Sequence, residues 1–136
     1  MDYQKLKDTR NSTNPYAKRL GMWVEEIREG YARVTKTVGA DDLNPVNVPH
    51  GGVYFSMADT ASGSAMASHG YYAVTVNVSY NFLRSGHVGD VFTAEAREIK
   101  SGNTLSVFDV QITNQDGVLL GTGNFTFYRL NKKIEL

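Results

Sequence analysis

The most constraining feature of the sequence is a long segment, Leu43–Leu83, that contains no Lys, Arg or Glu and a single Asp, Asp59. The chain as a whole carries 14 acidic and 14 basic residues among 136. Because charged side chains are rarely buried without a partner, so long an uncharged segment predicts a buried interior. The segment is therefore predicted to form the core of the fold, and the presence of one carboxylate within it needs an explanation.

Within this segment, the residues from Gly52 to about Ser68 predict one central helix. Alanine favours helix, and about 16 residues are too many for a typical strand. A glycine inside a helix costs about 0.5–1 kcal/mol, so Gly63 predicts that another backbone passes close by. The small residues of the predicted helix are Ala58, Ala61, Ser62, Gly63, Ser64, Ala65, Ala67 and Ser68.

The residues after this helix change to a period of two. Apolar residues from Val74 to Phe82 alternate with polar residues from Thr75 to Asn81, which predicts a long strand, Ala73–Leu83, with one apolar face. Its polar face would meet water or another protein molecule. The other predicted strands, separated by turns rich in Gly, Asn and Asp, are 22–30, 31–39, 91–100, 104–113 and 118–130.

A short helix is predicted for residues 12–21, where Asn14 caps the helix, Pro15 takes the first position and Gly21 ends it. The first dozen residues are polar and are either loosely ordered or a short helix. Short turns join the later strands, which favours antiparallel pairing. We expect a single domain, 1–136, of the α+β class, with an antiparallel sheet wrapped around one long central helix.

Composition excludes several classes of protein. A net charge of zero and a pI near 6.8 disfavour binding to nucleic acid through a basic face. The absence of cysteine excludes disulfides, thiolate nucleophiles and Cys-ligated zinc. His50, His69 and His87 lack the i, i+4 spacing of a helical metal site, so no metal is predicted. No secretory signal or membrane span is evident, so we expect a cytoplasmic protein without a membrane partner.

Two groups that could take part in catalysis lie eight residues apart, at Gly51 and at Asp59. Gly51 and Gly52 follow Pro49-His50 at the start of the predicted helix, where free N–H groups favour a developing negative charge. Asp59 lies too far along the helix to cap it and has no basic residue nearby in the sequence. The structural alternatives are that the glycines only turn the chain, that Asp59 faces solvent or is satisfied internally, and that His50 is a structural hydrogen-bonding residue.

At this point the sequence resembles a known family. The segments LNPVNVPHGGVYFSMADTASGSAMA, AVTVNVSYNFLRSGHVGDVFTAEA and VLLGTGNFTFYRL resemble hotdog-fold acyl-CoA thioesterases of the phenylacetic-acid-degradation type. The best motif has Asn44, five residues, then His50-Gly51-Gly52 and an "ADTA" that contains Asp59. The family often has proline after the arginine that corresponds to Arg84, where this chain has Ser85.

The resemblance implies an enzyme that hydrolyses an acyl-CoA without a cofactor, with coenzyme A as part of the substrate. Asp59 would be the catalytic carboxylate, as general base or nucleophile, and the Gly51 N–H would polarise the thioester carbonyl. Asn44 and His50 would position the substrate or the attacking water, and Thr75 would hold that water. Substrate contacts are carried over to Gly52, Asn81, Arg84, Gly102 and Asn103.

Spacing adds a constraint on this site. Gly51 and Asp59 are eight residues apart, or about 12 Å along a helix, so one thioester carbon cannot contact both. A second copy could supply the missing half, which predicts a dimer or a dimer of dimers paired through the edge strand Ala73–Leu83. Alternatives remain a hotdog-fold hydratase or dehydratase, a non-catalytic acyl-CoA-binding protein and a purely structural dimer.

Overall fold

A computed structural model describes all of residues 1–136 and contains one six-stranded sheet and three α-helices. The order along the chain is two helices, two strands, a long helix and four strands. The elements are α1 (Tyr3–Thr13), α2 (Pro15–Arg19), β1 (Trp23–Arg28), β2 (Tyr31–Thr37), a 3₁₀ turn (Ala40–Asp42), α3 (Gly51–Ala67), β3 (Tyr71–Phe82), β4 (Val91–Ser101), β5 (Leu105–Thr113) and β6 (Leu119–Lys133).

Every pair of neighbouring strands is antiparallel, in the order β1-β2-β4-β5-β6-β3. The α+β class and the predicted strands are confirmed, although β6 continues to Lys133 beyond the predicted end at residue 130. The strand β3 forms one edge of the sheet, as predicted. One side of β3 therefore pairs with β6, and the other side is open.

The helix α3 lies against the sheet, with contacts to all six strands. Twelve of its 17 residues are buried, and its small side chains let the strands approach. The fully buried Met57 and Met66 belong to one core with the rings of Phe92, Phe108 and Phe125. Burial of the large apolar side chains contributes about 1.5–3 kcal/mol each. The predicted central helix, surrounded on most sides, is confirmed.

The reason predicted for Gly63 is wrong. The three heavy atoms nearest to the position that a Cβ atom would occupy all belong to side chains and not to a neighbouring backbone. The nearest atoms are side-chain atoms, Arg10 Nη2 at 3.5 Å and Phe127 Cε1 at 3.6 Å. Gly63 is thus covered by a cation and an aromatic ring, and both lie at ordinary van der Waals distance.

The prediction of one continuous apolar face on β3 is also wrong. Val74 and Val76 are 48% and 52% exposed on the outer side of the sheet. Val78 and Tyr80 pack against the core, and Thr75 faces α3. The inner face of β3 therefore changes from odd-numbered to even-numbered positions along the strand.

A β-bulge causes this change. Thr75 pairs with Phe127 while Asn77 pairs with Thr126, so Val76 is an extra residue without its own partner on β6. An extra residue in one strand inverts the alternation of every side chain that follows. The alternating sequence runs through this point without interruption and gives no sign of the bulge.

The N-terminal residues form a helix, which was one of the two alternatives. The helix α1 ends at Thr13, so the helix predicted from residue 12 begins instead at Pro15. The Asn14 side chain accepts the Ala17 N–H and Pro15 takes the first helical position, as predicted. No helix of the chain is both long enough and apolar enough to cross a membrane.

Candidate active site

The N-terminus of α3 leaves one backbone donor free. The His50 side chain caps the helix, because its Nδ1 atom accepts the Gly52 N–H at 2.8 Å. The His50 carbonyl accepts the Val53 N–H at 2.9 Å. Gly51 is the first helical residue, and its N–H pairs with no acceptor in the chain. A free donor at the positive end of a long helix suits an oxygen that becomes negative during a reaction.

The capping bond also determines which nitrogen of the His50 imidazole carries the proton. Because Nδ1 accepts a hydrogen bond, the proton of the neutral ring lies on Nε2. His50 is exposed, so this Nε2–H is available to a ligand. His50 therefore has the structural hydrogen-bonding role that was one of the alternatives, through Nδ1. Its Nε2–H is free to bind a ligand.

Asn44 holds the loop that leads to the helix. Its Oδ1 atom accepts the N–H groups of Val46 and Val48 at 3.0 and 3.2 Å, which closes a tight turn. An isolated bridge between Leu43 and Pro49 joins the two ends of the loop. The Asn44 side-chain nitrogen has no acceptor in the chain, so the residue both shapes the loop and offers a donor.

A buried ion pair anchors the same loop and was missed in the sequence. Lys36 Nζ lies 3.0 Å from Asp42 Oδ2, and the two side chains are only 6% and 8% exposed. The Asp42 carbonyl accepts the His50 N–H at 2.8 Å, and Lys36 also donates to the Leu20 carbonyl. The available signal was Lys36 itself, a lysine at an inward position of β2.

The lone carboxylate is paired with a hydroxyl. Thr75 Oγ1 donates to Asp59 Oδ1 at 2.6 Å, across the gap between α3 and β3. The bulge at Val76 makes this contact possible, because it lets Thr75 face inward while Val78 also faces inward. Asp59 is partly buried, and its Oδ2 atom has no partner in the chain. The carboxylate is held by one oxygen and free to act through the other.

A cation shares the cavity with Asp59, although no basic residue is near it in the sequence. Arg10 of α1 donates from Nε to Ser64 Oγ at 2.8 Å. Burial lowers the pKa of the Arg10 guanidinium, while the nearby Asp59 and Tyr72 act in the opposite direction. Arg10 makes no direct ion pair with Asp59. The sequence gives no signal for Arg10, because only the folding of α1 onto α3 brings it near Asp59.

Two separate cavities contain the two halves of the candidate site. Gly51 lines a cavity of about 270 Å³ together with Phe82 and Arg84. Asp59 lines another cavity, of about 300 Å³, together with Thr75 and Arg10. One chain therefore does not bring Gly51 and Asp59 into a common pocket. No group of three or more His, Asp or Glu side chains in the chain could hold a metal ion.

The predicted substrate-binding residues divide between the same two ends. Gly52 lies in the first turn of α3, and Arg84 lines the Gly51 cavity. Asn81 is exposed near the end of β3. Gly102 and Asn103 form the β4–β5 turn, where the Gly102 N–H donates to the Leu105 carbonyl at 2.9 Å.

The strand register places that turn far from Gly51. Leu105, which follows the β4–β5 turn, pairs with Tyr128, and Tyr128 pairs with Val74 near the start of β3. Phe82, beside Gly51, pairs at the other end of β3 with Gly121. Asp59, Thr75 and the β4–β5 turn thus occupy one half of the molecule, and Gly51, His50 and Arg84 occupy the other.

Comparison with known proteins agrees with this architecture. Residues 47–120 match the model of the thioesterase superfamily. The chain is 43% identical to the acyl-coenzyme A thioesterase PaaI of Escherichia coli over 99 residues, which cover 73% of this chain and 71% of that protein. It is 33% identical to a putative esterase of Archaeoglobus fulgidus over 129 residues, 95% of this chain and 84% of that protein.

Solved structures show the same fold. The E. coli PaaI protein, from the phenylacetic acid degradation operon, superposes with a TM-score of 0.93 at 34% identity and covers 97% of this chain and 96% of that chain. A hypothetical thioesterase of Streptococcus pneumoniae, solved with coenzyme A, gives a TM-score of 0.79 at 34% identity, with coverage of 83% and 88%. The chain belongs to the thioesterase superfamily and is a thioester hydrolase with the hotdog fold.

Proposed function

We propose that the protein hydrolyses an acyl-CoA to a free acid and coenzyme A. The observation that carries this proposal is that α3 presents a free N–H at Gly51 and, at Asp59, a carboxylate that accepts a hydrogen bond from Thr75 of β3. Acyl-CoA hydrolysis needs a donor for the carbonyl oxygen and a group that activates water, and these residues supply both. The similarity to an acyl-coenzyme A thioesterase and to a structure with coenzyme A supports the choice of thioester.

In the proposed reaction, Asp59 acts as a general base through its unpaired Oδ2 atom. A water molecule gives a proton to Asp59 while its oxygen attacks the thioester carbon. The carbonyl oxygen becomes negative and is stabilised by the Gly51 N–H. The carbon–sulfur bond then breaks, the acid is released, and the sulfur of coenzyme A takes the proton from Asp59. Thr75 keeps the carboxylate oriented through Oδ1 throughout.

The proposed site is shared between two copies of the chain. Antiparallel pairing of β3 with β3 of a second copy would reverse one molecule relative to the other, so its Gly51 end would lie near the Asp59 end of the first. The same operation would bring Arg84 of one copy toward Gly102 and Asn103 of the other. This arrangement accounts for the division of the predicted residues between two ends, and it uses the open edge of the sheet.

The experiment that tests the proposal is Asp59→Asn, assayed by release of free thiol from phenylacetyl-, hydroxybenzoyl- and medium-chain acyl-CoA. The substitution keeps the shape of the side chain and removes the base, so hydrolysis should fall by about 10²–10⁴-fold. Asp116→Asn, the same substitution in the exposed β5–β6 turn, is the matched control and should leave hydrolysis unchanged. Circular dichroism should show both variants folded. An Asp59→Asn variant within about threefold of the wild type would contradict the general-base role.

A further inference from the structure

Arg10 carries hydrogen-bond donors that the protein leaves unused. Its Nε–H is bonded to Ser64 Oγ, whose own proton goes to the Thr60 carbonyl at 2.7 Å. The four N–H groups on Nη1 and Nη2 have no acceptor in the chain, and no ion pair within 4 Å involves Arg10. A partly buried guanidinium with four unused donors is costly unless a ligand completes its hydrogen bonds.

The guanidinium is also held in place. The Ser64 bond fixes Nε against α3, and Nη2 lies 3.5 Å from the Cβ position of Gly63, which has no side chain to cover it. Arg10 lines the cavity that contains Asp59, Thr75 and Tyr72. The donors are therefore fixed within the same cavity as the proposed general base.

We propose that Arg10 selects acyl groups that carry an uncharged oxygen acceptor, a hydroxyl or a carbonyl, in the chain beyond the thioester. This inference rests on the proposed function, because it assigns a recognition role to a residue beside Asp59. An acyl group that ends in such an oxygen completes the hydrogen bonds of the Nη atoms. An unsubstituted alkyl chain leaves them without an acceptor in a cavity from which it has displaced water.

Charge balance favours a neutral oxygen over a carboxylate. The cavity holds one cation, Arg10, and the carboxylate of Asp59. An acyl carboxylate would bring a second negative charge close to the proposed general base. A hydroxyl or carbonyl oxygen accepts from Arg10 without disturbing this balance.

For an acyl chain that runs along α3 from Asp59, the position of the guanidinium sets the length of the acyl group. Arg10 lies over Gly63, one helical turn beyond Asp59, which corresponds to about 6 Å along the helix axis. An extended carbon chain covers this distance in about four to six bonds. The selected oxygen should thus lie about four to six carbons from the thioester.

The test compares matched substrates in the wild type and in Arg10→Met. The substrates are alkanoyl-, ω-hydroxyacyl- and ω-carboxyacyl-CoA of about four to six carbons. We expect wild-type kcat/KM to be about 10- to 100-fold higher for the ω-hydroxyacyl-CoA than for the alkanoyl-CoA, with the ω-carboxyacyl-CoA below the ω-hydroxyacyl-CoA. Arg10→Met should reduce the hydroxyl preference to within about threefold, because hydrolysis of the ω-hydroxyacyl-CoA should fall much more than hydrolysis of the alkanoyl-CoA.

Ser64→Ala separates recognition from helix docking, because it removes the Nε anchor but keeps the guanidinium. If Arg10 only holds α1 against α3, both variants should lower hydrolysis of all substrates equally, and the inference is overturned.

Two wild-type results separate the inference from the proposed function. Equal wild-type hydrolysis of alkanoyl and ω-hydroxyacyl substrates overturns the inference and leaves the proposed function intact. Absence of hydrolysis of any acyl-CoA overturns the proposed function and the inference together. Arg10→Lys, which keeps the charge but loses the planar fork, should keep only part of the preference and serves if Arg10→Met does not fold.

Discussion

Replacing Gly51 by proline removes the proposed oxyanion donor with little other change. Gly51 is the first residue of α3, which is the helical position that proline favours, and its N–H has no partner to lose. His50 already has φ −59° and ψ 141°, a conformation compatible with a following proline. Removal of one oxyanion donor costs about 10²–10³ in rate, and we expect a loss of this size.

Gly51→Ala is the matched control. It keeps the N–H and adds a Cβ atom 3.4 Å from the Phe82 ring, a contact that a small shift of the ring relieves. Hydrolysis by Gly51→Ala should therefore exceed that of Gly51→Pro by at least about tenfold. Equal losses in the two variants would show that bulk at this position, and not the missing donor, lowers the rate.

The proline variant then tests whether the site is shared. In a mixed dimer of Gly51→Pro and Asp59→Asn, one site contains both defects and the other contains neither. Random mixing makes about half of the dimers mixed, so about a quarter of all sites should recover. We expect co-refolded variants to show about a quarter of wild-type thiol release, whereas each variant alone shows almost none. Native mass spectrometry measures the mixed dimers. If mixed dimers form without recovered hydrolysis, the shared site is refuted.

Three further predictions concern the parts that support the site. Thr75→Val should lower hydrolysis by about 10- to 100-fold, because it removes a hydrogen bond to the charged Asp59 carboxylate. Thr75→Ser keeps a hydroxyl and should restore most of the activity. Equal rates for the two variants would contradict this role of the hydroxyl. Asp42→Asn should lower the free energy of unfolding in urea by about 3–5 kcal/mol, because Lys36 would remain buried without its counter-ion; a loss below about 1 kcal/mol would show that Lys36 finds another partner. Hydrolysis should be unchanged after dialysis against a chelator, since no metal site is predicted, and restoration by a divalent ion after a loss would overturn that prediction.

The features predicted correctly from the sequence are those determined by local chemistry. The small residues around Ala61 favour a buried helix wherever it is placed, and Asn14 and Pro15 favour a helix start. Asp59 became a candidate because charge is scarce from Leu43 to Leu83, and its catalytic role stays a prediction. Each of these signals can be read from one continuous segment of the sequence, without knowledge of contacts between distant segments.

The features that were missed depend on contacts between distant segments. Arg10 comes near Asp59 only when α1 packs on α3, and Lys36 pairs with Asp42 only when the loop before α3 folds back. The bulge at Val76 is invisible because the apolar alternation of β3 continues through it. Periodicity reports which positions could share a face, and the pairing with β6 decides which positions do share it.

The bulge also affects how selectively the open edge of β3 can associate. A regular edge strand of 12 residues would be a template for any extended chain, including misfolded chains and unrelated proteins. The extra residue at Val76 breaks the spacing of the backbone groups and increases the local twist. A regular strand could match the segments before and after Val76 only one at a time. Another strand interrupted in the same way could match both, so the bulge is consistent with the proposed pairing of β3 with its own copy and opposes pairing with foreign strands.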